Sequence, residues 1–339
     1  MNKITYEIRR YEDEDAAAWD AFLPQTVNGT FLQSRRFLSY HPAGRFRDCS
    51  LMIYDAKGNL AALCPGADQM VDGRRVFVSH PGSTFGGILV APKHYKAAKV
   101  LAMLDALEAW WRAEGFAAVD LRITPSLFSK QGEDLLDYAL FHHHYKESVE
   151  LSTYIDYDEF REPVEANFSQ GKRTDFHNGQ KIGMYGRPLR LPEELDDFYD
   201  VLCESLSKYG VQPVHSYEEL LDFAQVRLTK ECGFYGVFLP QEMGERMVAG
   251  AMMFYFSEVH LAHTQYLAAV NDYRRYSPMT FLCTYLIDTM RQRGFQKFSF
   301  GISTEERGRV LNKGLIFAKE SYGSRHSVNR KFWKDLQVL

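Results

Sequence analysis

The sequence predicts an α/β protein with mixed sheets, built as two tandem domains of related topology. Three observations lead there. The chain has 339 residues, of which 45% are hydrophobic and 14% aromatic, enough to fill more than one core. Apolar strand-like runs alternate with amphipathic helical patterns along its length. Finally, one pattern occurs twice: Trp111 to Thr124 (WRAEGFAAVDLRIT) matches Met290 to Ser303 (MRQRGFQKFSFGIS), each closing a helix with a charged residue, Gly-Phe and a buried strand. The copies stand about half the chain apart, and both follow apolar strands, so an internal duplication accounts for them.

Composition narrows the function classes. The formal net charge is −4, so no global basic field draws the protein to nucleic acid or membrane, and any such contact must be a local patch. Cys49, Cys64, Cys203, Cys232 and Cys283 are odd in number, widely spaced and free of CxxC pairs, which argues against a disulfide framework or a thiolate metal site. A reducing cytoplasm is the expected location. The opening MNKITYEIRRYEDED lacks a signal-peptide core, and no apolar run reaches the roughly 20 residues of a membrane span. His142, His143 and His144 cannot converge on one ion from consecutive positions, and no metal site is expected.

In chain order, residues 3–10 alternate as a strand and Asp13 to Leu23 reads as a helix with Ala16, Trp19, Phe22 and Leu23 inward. A hairpin is expected over residues 49–70 around Lys57-Gly58-Asn59, with a second turn at Asp72-Gly73 before the strand RRVFVSH. The Gly-rich loop His80 to Gly87 follows. Its glycines, Gly82, Gly86 and Gly87, could bring backbone N–H groups to an anion or simply permit an awkward path; neither P-loop nor dinucleotide spacing is present. Lys93 to Glu114 is a helix with Val100, Leu104, Leu107 and Trp111 on one stripe, stopped by Gly115.

The second half begins near Asp158, giving expected domains of 1–157 and 158–323, with 324–339 a terminal strand. Residues 158–181 read as a polar helix or helix pair, followed by helices at Pro192–Tyr209 and Tyr217–Leu228. Lys172, Arg173, Lys181 and Arg187 gather positive charge suited to phosphate, and equally form an ordinary solvated basic face. Met247 to Val270 is long enough for two paired strands. A basic loop (NDYRRYSPM), a helix ending in MRQRGF, the strand FQKFSFG and a helix over Val310 to Tyr322, with Leu311, Leu315 and Ala318 on its apolar stripe and Lys319 beside it, complete the order.

Strand, strand, loop, helix, strand, helix resembles the second half of a GNAT-type acyltransferase. The tail, Gly314-Leu315 through Lys319 to Tyr322-Gly323, resembles the ending of the Fem family, non-ribosomal aminoacyltransferases of peptidoglycan bridges built from two GNAT-like domains. Phe31, Gln33 and Ser34 match that family's F-x-Q-(S/T) element, with Phe37 where tryptophan is common. The Gly82 to Gly87 loop stands where the family lines a substrate groove. Lys172, Arg173, Lys181 and Gly183 match its basic helix. Tyr266, Ser277-Pro278 and Phe300-Gly301 match a Y…S-P…D-F-G series in which Ser299 replaces the aspartate. The resemblance implies donor binding and oxyanion stabilisation for Lys319, although Ala318 stands where phenylalanine is usual.

Acyl transfer to an amine needs an activated donor, a deprotonated amine, oxyanion stabilisation and a proton for the leaving group. GNAT folds that use acetyl-CoA carry Q/R-x-x-G-x-G/A at the donor loop, whose bare N–H groups hold pyrophosphate. Here Arg274-Arg275-Tyr276-Ser277-Pro278-Met279 has neither glycine, and Pro278 removes an N–H. The resemblance therefore implies an N-acyltransferase with catalytic Lys319 and Tyr266. Substrate or donor contacts would come from Gln33, Gly82, Gly86, Gly87, Lys172, Arg173, Arg274, Arg275, Ser277 and Tyr322. No tightly bound cofactor is expected. The donor would be aminoacyl-tRNA or acyl-CoA, and the acceptor a small-molecule or a nucleotide- or lipid-linked amine. A CoA-dependent acetyltransferase with a degenerate loop and a catalytically silent binding protein are the alternatives.

Overall fold

The computed structural model describes residues 4–42, 44–132, 134–208 and 210–337. Residues 3 and 209, the outer ends of one expected strand and one expected helix, lie outside these. The first half contains β1 (Tyr6–Arg10), α1 (Ala16–Phe22), α2 (Arg35–Leu38), β2 (Arg47–Asp48), β3 (Leu51–Asp55), β4 (Leu60–Cys64), β5 (Ala67–Val71), β6 (Arg74–Val78), β7 (Leu89–Val90), α3 (Ala97–Ala113), β8 (Ala118–Arg122) and α4 (Asp134–His142). Then come β9 (Lys146–Asp156), α5 (Gln170–Lys181), β10 (Tyr185–Pro188), α6 (Leu195–Ser207), α7 (Tyr217–Asp222), β11 (Cys232–Phe238), β12 (Met247–Phe256) and β13 (Leu261–Ala269). The chain ends with α8 (Pro278–Gln292), β14 (Lys297–Ile302), β15 (Thr304–Glu305), β16 (Val310–Leu311), α9 (Lys313–Glu320) and β17 (Arg325–Asp335). Among the described residues no helix is long and apolar enough to cross a membrane.

Two compact units result. Unit 1 holds Met1–Glu150, Glu306–Arg309 and Val328–Leu339; unit 2 holds Leu151–Glu305 and Val310–Ser327. The division falls inside β9, a few residues before Asp158, because from Ser152 onward that strand pairs with β14. The terminal strand β17 belongs to unit 1 from Val328 and pairs with β8.

In unit 1, β1, β3, β4 and β7 form an antiparallel sheet. A second sheet runs β2-β5-β6-β8-β17, in which β6 and β8 are parallel and α3 makes the crossover. The expected hairpin over 49–70 is β3–β4, and β5 starts a separate strand. Helix α3 begins at Ala97, four residues after Lys93, since His94 and Tyr95 close a turn on Ala91 instead. Its buried stripe, Val100, Met103, Leu104, Leu107 and Trp111, packs against Phe77 of β6 and Val119 and Leu121 of β8.

In unit 2, the sheet runs β10-β11-β12-β13-β14-β9, antiparallel except for β13 and β14, which α8 joins as parallel neighbours. The hairpin-helix-strand order β12-β13-α8-β14 is therefore the order of β5-β6-α3-β8. The repeat has a local cause as well. Gly115 (φ 78°) and Gly294 (φ 84°) take the left-handed conformation that ends each helix. The next N–H returns to the helix in both, Phe116 to Trp111 at 3.0 Å and Phe295 to Met290 at 3.1 Å. Residues 158–181 resolve into short 3₁₀ turns and α5, and the segment after α7 continues as a π-turn, Phe223–Arg227.

The last helix differs from expectation. Val310 and Leu311 form β16, so α9 starts at Lys313, capped by the Asn312 side chain accepting from Leu315 N–H. Leu311 and Leu315 are exposed and Phe317 is 71% exposed, whereas Ile316 and Lys319 are the buried pair. The inner stripe thus contains Lys319 itself rather than passing beside it.

Candidate active site

Unit 2 opens a notch between its parallel strands. Backbone pairing of β13 with β14 covers Leu261, Ala262 and His263 opposite Lys297, Phe298 and Ser299, and then the strands part. Simple alternation would place His263 and Tyr266 on opposite faces of β13. A bulge intervenes: Met253 pairs with Thr264 but Met252 pairs with Tyr266, which puts His263, opposite Phe254, and Tyr266 on one face. Ser299 joins that face as the neighbour of His263, with His263 Nδ1 3.0 Å from Ser299 Oγ. The Thr264 hydroxyl donates to Ser299 O at 3.3 Å.

Lys319 reaches the end of β14 from α9. Its Nζ donates to Gly301 O at 3.0 Å and Ile302 O at 2.7 Å, leaving one ammonium N–H for a further acceptor. Gly301 has φ 72°, and a Cβ there would lie 3.2 Å from His263 Cε1. Burial lowers the Lys319 amine to about 8, with nearby Cys283 opposing the shift. Burial, and secondarily the Lys319 charge, holds the His263 imidazole down at about 4. At neutral pH the pair is thus a neutral imidazole close to an ammonium. The phenol of Tyr266 is 2.6 Å from His215 Nδ1, and burial pushes it up to about 12.

A cleft of about 520 Å³ lies at the N-terminus of α8, lined by Lys172, Lys208, Ala269, Val270, Arg274, Ser277 and Thr280 among others. Ser277 adopts φ 53°, Pro278 is the first helical residue, and no side chain caps the helix. Helix geometry leaves the N–H groups of Met279 and Thr280, both cleft residues, without an intrahelical acceptor. Pro278 removes one N–H, yet two remain with two lysines and an arginine around them. Lys172 donates to Thr280 Oγ1 at 3.2 Å and sits 4.7 Å over the Tyr322 ring, which itself stacks on Phe300. The arrangement suits a phosphate-bearing ligand.

Several residues singled out in the sequence serve the fold instead. Gln33 is fully buried, its amide donating to Gly86 O at 3.0 Å and Thr124 Oγ1 at 2.9 Å and accepting from Thr30 N–H and hydroxyl at 2.7 Å. The glycine loop offers no bare cradle: Gly86 N–H donates to Arg122 O and Gly87 N–H to Ser79 Oγ. A Cβ on Gly82 would sit 1.6 Å from His41 Nε2, and one on Gly86 2.6 Å from Ser79 Oγ, so side-chain packing requires these glycines. Arg173 donates to Phe168 O, and Arg275 lies 4.6 Å over Tyr276; neither lines the cleft. Tyr322 supports Lys172 through its ring.

Unit 1 has the equivalent notch, and its own residues close it. Pairing of β6 with β8 ends at Val78 and Asp120, after which Gly86 bonds to Arg122 and Gln33 to Thr124. Asp120 occupies the place of Ser299 in the repeat, and its carboxylate is bound by Arg307. Sequence reasoning missed His263 and His215. Residue type alone does not single out His263: the parallel register of β13 and β14 sets it opposite Ser299, and the bulge that follows brings Tyr266 onto its face.

Residues 178–307 match the family described as acetyltransferase (GNAT) domain. No curated protein matches the chain in sequence. Among solved structures, FemX aligns over 96% of both chains with a TM-score of 0.68 at 12% identity. L-PGS from Bacillus licheniformis aligns over 98% of this chain and 94% of its own, TM-score 0.60, 16% identity. A tandem GNAT protein from the clavulanic acid biosynthesis pathway aligns over 98% and 99%, TM-score 0.57, 10% identity. The chain has a tandem GNAT acyltransferase fold. More particularly, that fold is Fem-like.

Proposed function

We propose that the protein is an N-acyltransferase of Fem-like type, moving an aminoacyl or acyl group from a phosphate-bearing donor to an amine of a cell-envelope precursor. The observation carrying this reading is Lys319, a buried ammonium with a free N–H at the mouth of the β13–β14 notch, in the same unit as a basic cleft at a helix N-terminus. Lys172, Arg274 and the Met279 and Thr280 N–H groups hold donor phosphate. The acyl carbonyl enters the notch, where the Lys319 N–H stabilises its oxygen as charge develops. With Nδ1–H donated to Ser299, His263 Nε2 accepts a proton from the attacking amine. The C–N bond forms, the bond to the donor's oxygen or sulfur breaks, and the Tyr266 phenol protonates the leaving atom.

The notch accepts either donor class. Aminoacyl-tRNA follows from the Fem-like order and the Ser277-Pro278 loop; acyl-CoA is favoured by the acetyltransferase-domain match and the positive cleft. Purified protein should be incubated with acetyl-CoA or charged tRNA and with nucleotide- or lipid-linked muropeptides, and acylated amine followed by mass spectrometry. Product from one donor, reduced in Lys319→Ala, supports the reading. A folded protein giving none with any pair would favour a silent binding protein.

A further inference from the structure

The face of α8 toward α5 and β10 carries a second feature that acyl transfer does not use. Phe281, Thr284, Tyr285 and Asp288 recur at helical spacing and form one stripe. Over that stripe lies a groove of about 500 Å³, walled by Phe176 of α5, Met184 near β10 and Glu165 of the preceding 3₁₀ turn. Its apolar surface is aromatic: Phe176 and Phe281 have ring centroids 5.2 Å apart, and Tyr285 lies flush on β10, where a Cβ at Gly186 would meet its ring at 2.5 Å.

The charges at this groove are of one sign. Asp288 and Glu165 both line it. The Asp288 carboxyl is raised above its ordinary value, first by burial and then by Glu162 and Glu165, with Gln292 and Arg291 opposing. Arg291 is committed elsewhere, to Glu162 at 3.0 Å and to the carbonyls of Phe160 and Arg161. An aromatic groove with excess negative charge matches a cation with a carbon body, because ring faces and carboxylates attract it together while neutral apolar ligands gain only contact.

We propose that this groove is a binding site for a small organic ammonium ion, its carbon body against Phe176, Phe281 and Tyr285 and its charge held by Asp288 and Glu165. It lies on other residues than the donor cleft and stands whether or not the chain transfers acyl groups.

The test is isothermal titration of the full-length protein with choline and with its neutral isostere 3,3-dimethylbutan-1-ol. Choline should bind saturably and at least about tenfold more tightly than the isostere, and Asp288→Asn should erase that preference. Glu165→Gln, at a half-buried turn position, gives the same readout should Asp288→Asn not fold. Equal binding of the two ligands, no binding of either, or an undiminished preference in a folded variant would overturn the proposal.

Discussion

At the scale of single residues, Gln33 and Lys319 differ in how fully their polar atoms are used. Both match the Fem-like pattern and both are buried, but Gln33 saturates its amide within unit 1 while Lys319 keeps a donor for something else. Gln33→Ala should therefore cost roughly 2–4 kcal/mol of stability by orphaning buried groups, with turnover of the folded fraction unchanged. Lys319→Ala should cost about 2.7–4 kcal/mol in the barrier, a 10²–10³-fold loss of turnover. Urea unfolding and steady-state rates separate the two. Because the Lys319 amine is lowered to about 8, the oxyanion contact proposed for it is charged below that pH and fades above it. The rate should fall as pH rises through about 8, and Lys319→Arg, which stays charged, should lack that limb. Folding linkage has a definite sign too. Between about 8 and the ordinary lysine value the unfolded chain binds more protons, so this group makes stability rise with pH there. Loss of stability from this group across that window would contradict the assigned environment.

Among the elements, the helix starts decide most. Ser277 holds φ 53° without capping α8, so Ser277→Gly should relieve about 1 kcal/mol of backbone strain and leave donor affinity intact. A drop in denaturation midpoint would mean that the serine side chain has a role. Ahead of α6, buried Glu194 accepts from Arg187 and Arg190, principally the Arg187 bonds, which hold its carboxyl down at about 2. Its stabilisation is complete above the ordinary glutamate value and lost as pH falls toward about 2. Glu194→Ala should cost roughly 1–2 kcal/mol at neutral pH, measured by urea unfolding, because it removes the acceptor of several charge-assisted hydrogen bonds while the arginines stay solvated.

The same elements mark what was legible in the sequence. Helices α3 and α8 announce themselves through apolar stripes and their glycine stops, and the β12–β13 hairpin through an unbroken apolar run. The β13 bulge does not, because one extra residue leaves no compositional trace yet turns Tyr266 onto the face of His263. Helix α9 misled for a different reason: Leu311, Leu315 and Ala318 mimic an inner stripe, whereas two strand-end carbonyls make the inner position polar and draw Lys319 there. Hydrogen-bond demand at β14 outweighs side-chain hydropathy.

At the scale of the whole chain, the two units share an order of elements but differ at the notch. The notch of unit 1 is closed by Gly86, Gln33 and the Asp120–Arg307 pair; that of unit 2 is flanked by His263, Tyr266 and Lys319. Backbone hydrogen exchange with saturating acetyl-CoA, and separately aminoacyl-tRNA, tests this asymmetry most directly. With at least one donor, protection should rise at Met279, Thr280 and residues 264–269 of unit 2, while residues 80–87 of unit 1 stay unchanged. Protection confined to residues 80–87, or none with either donor, would contradict the account.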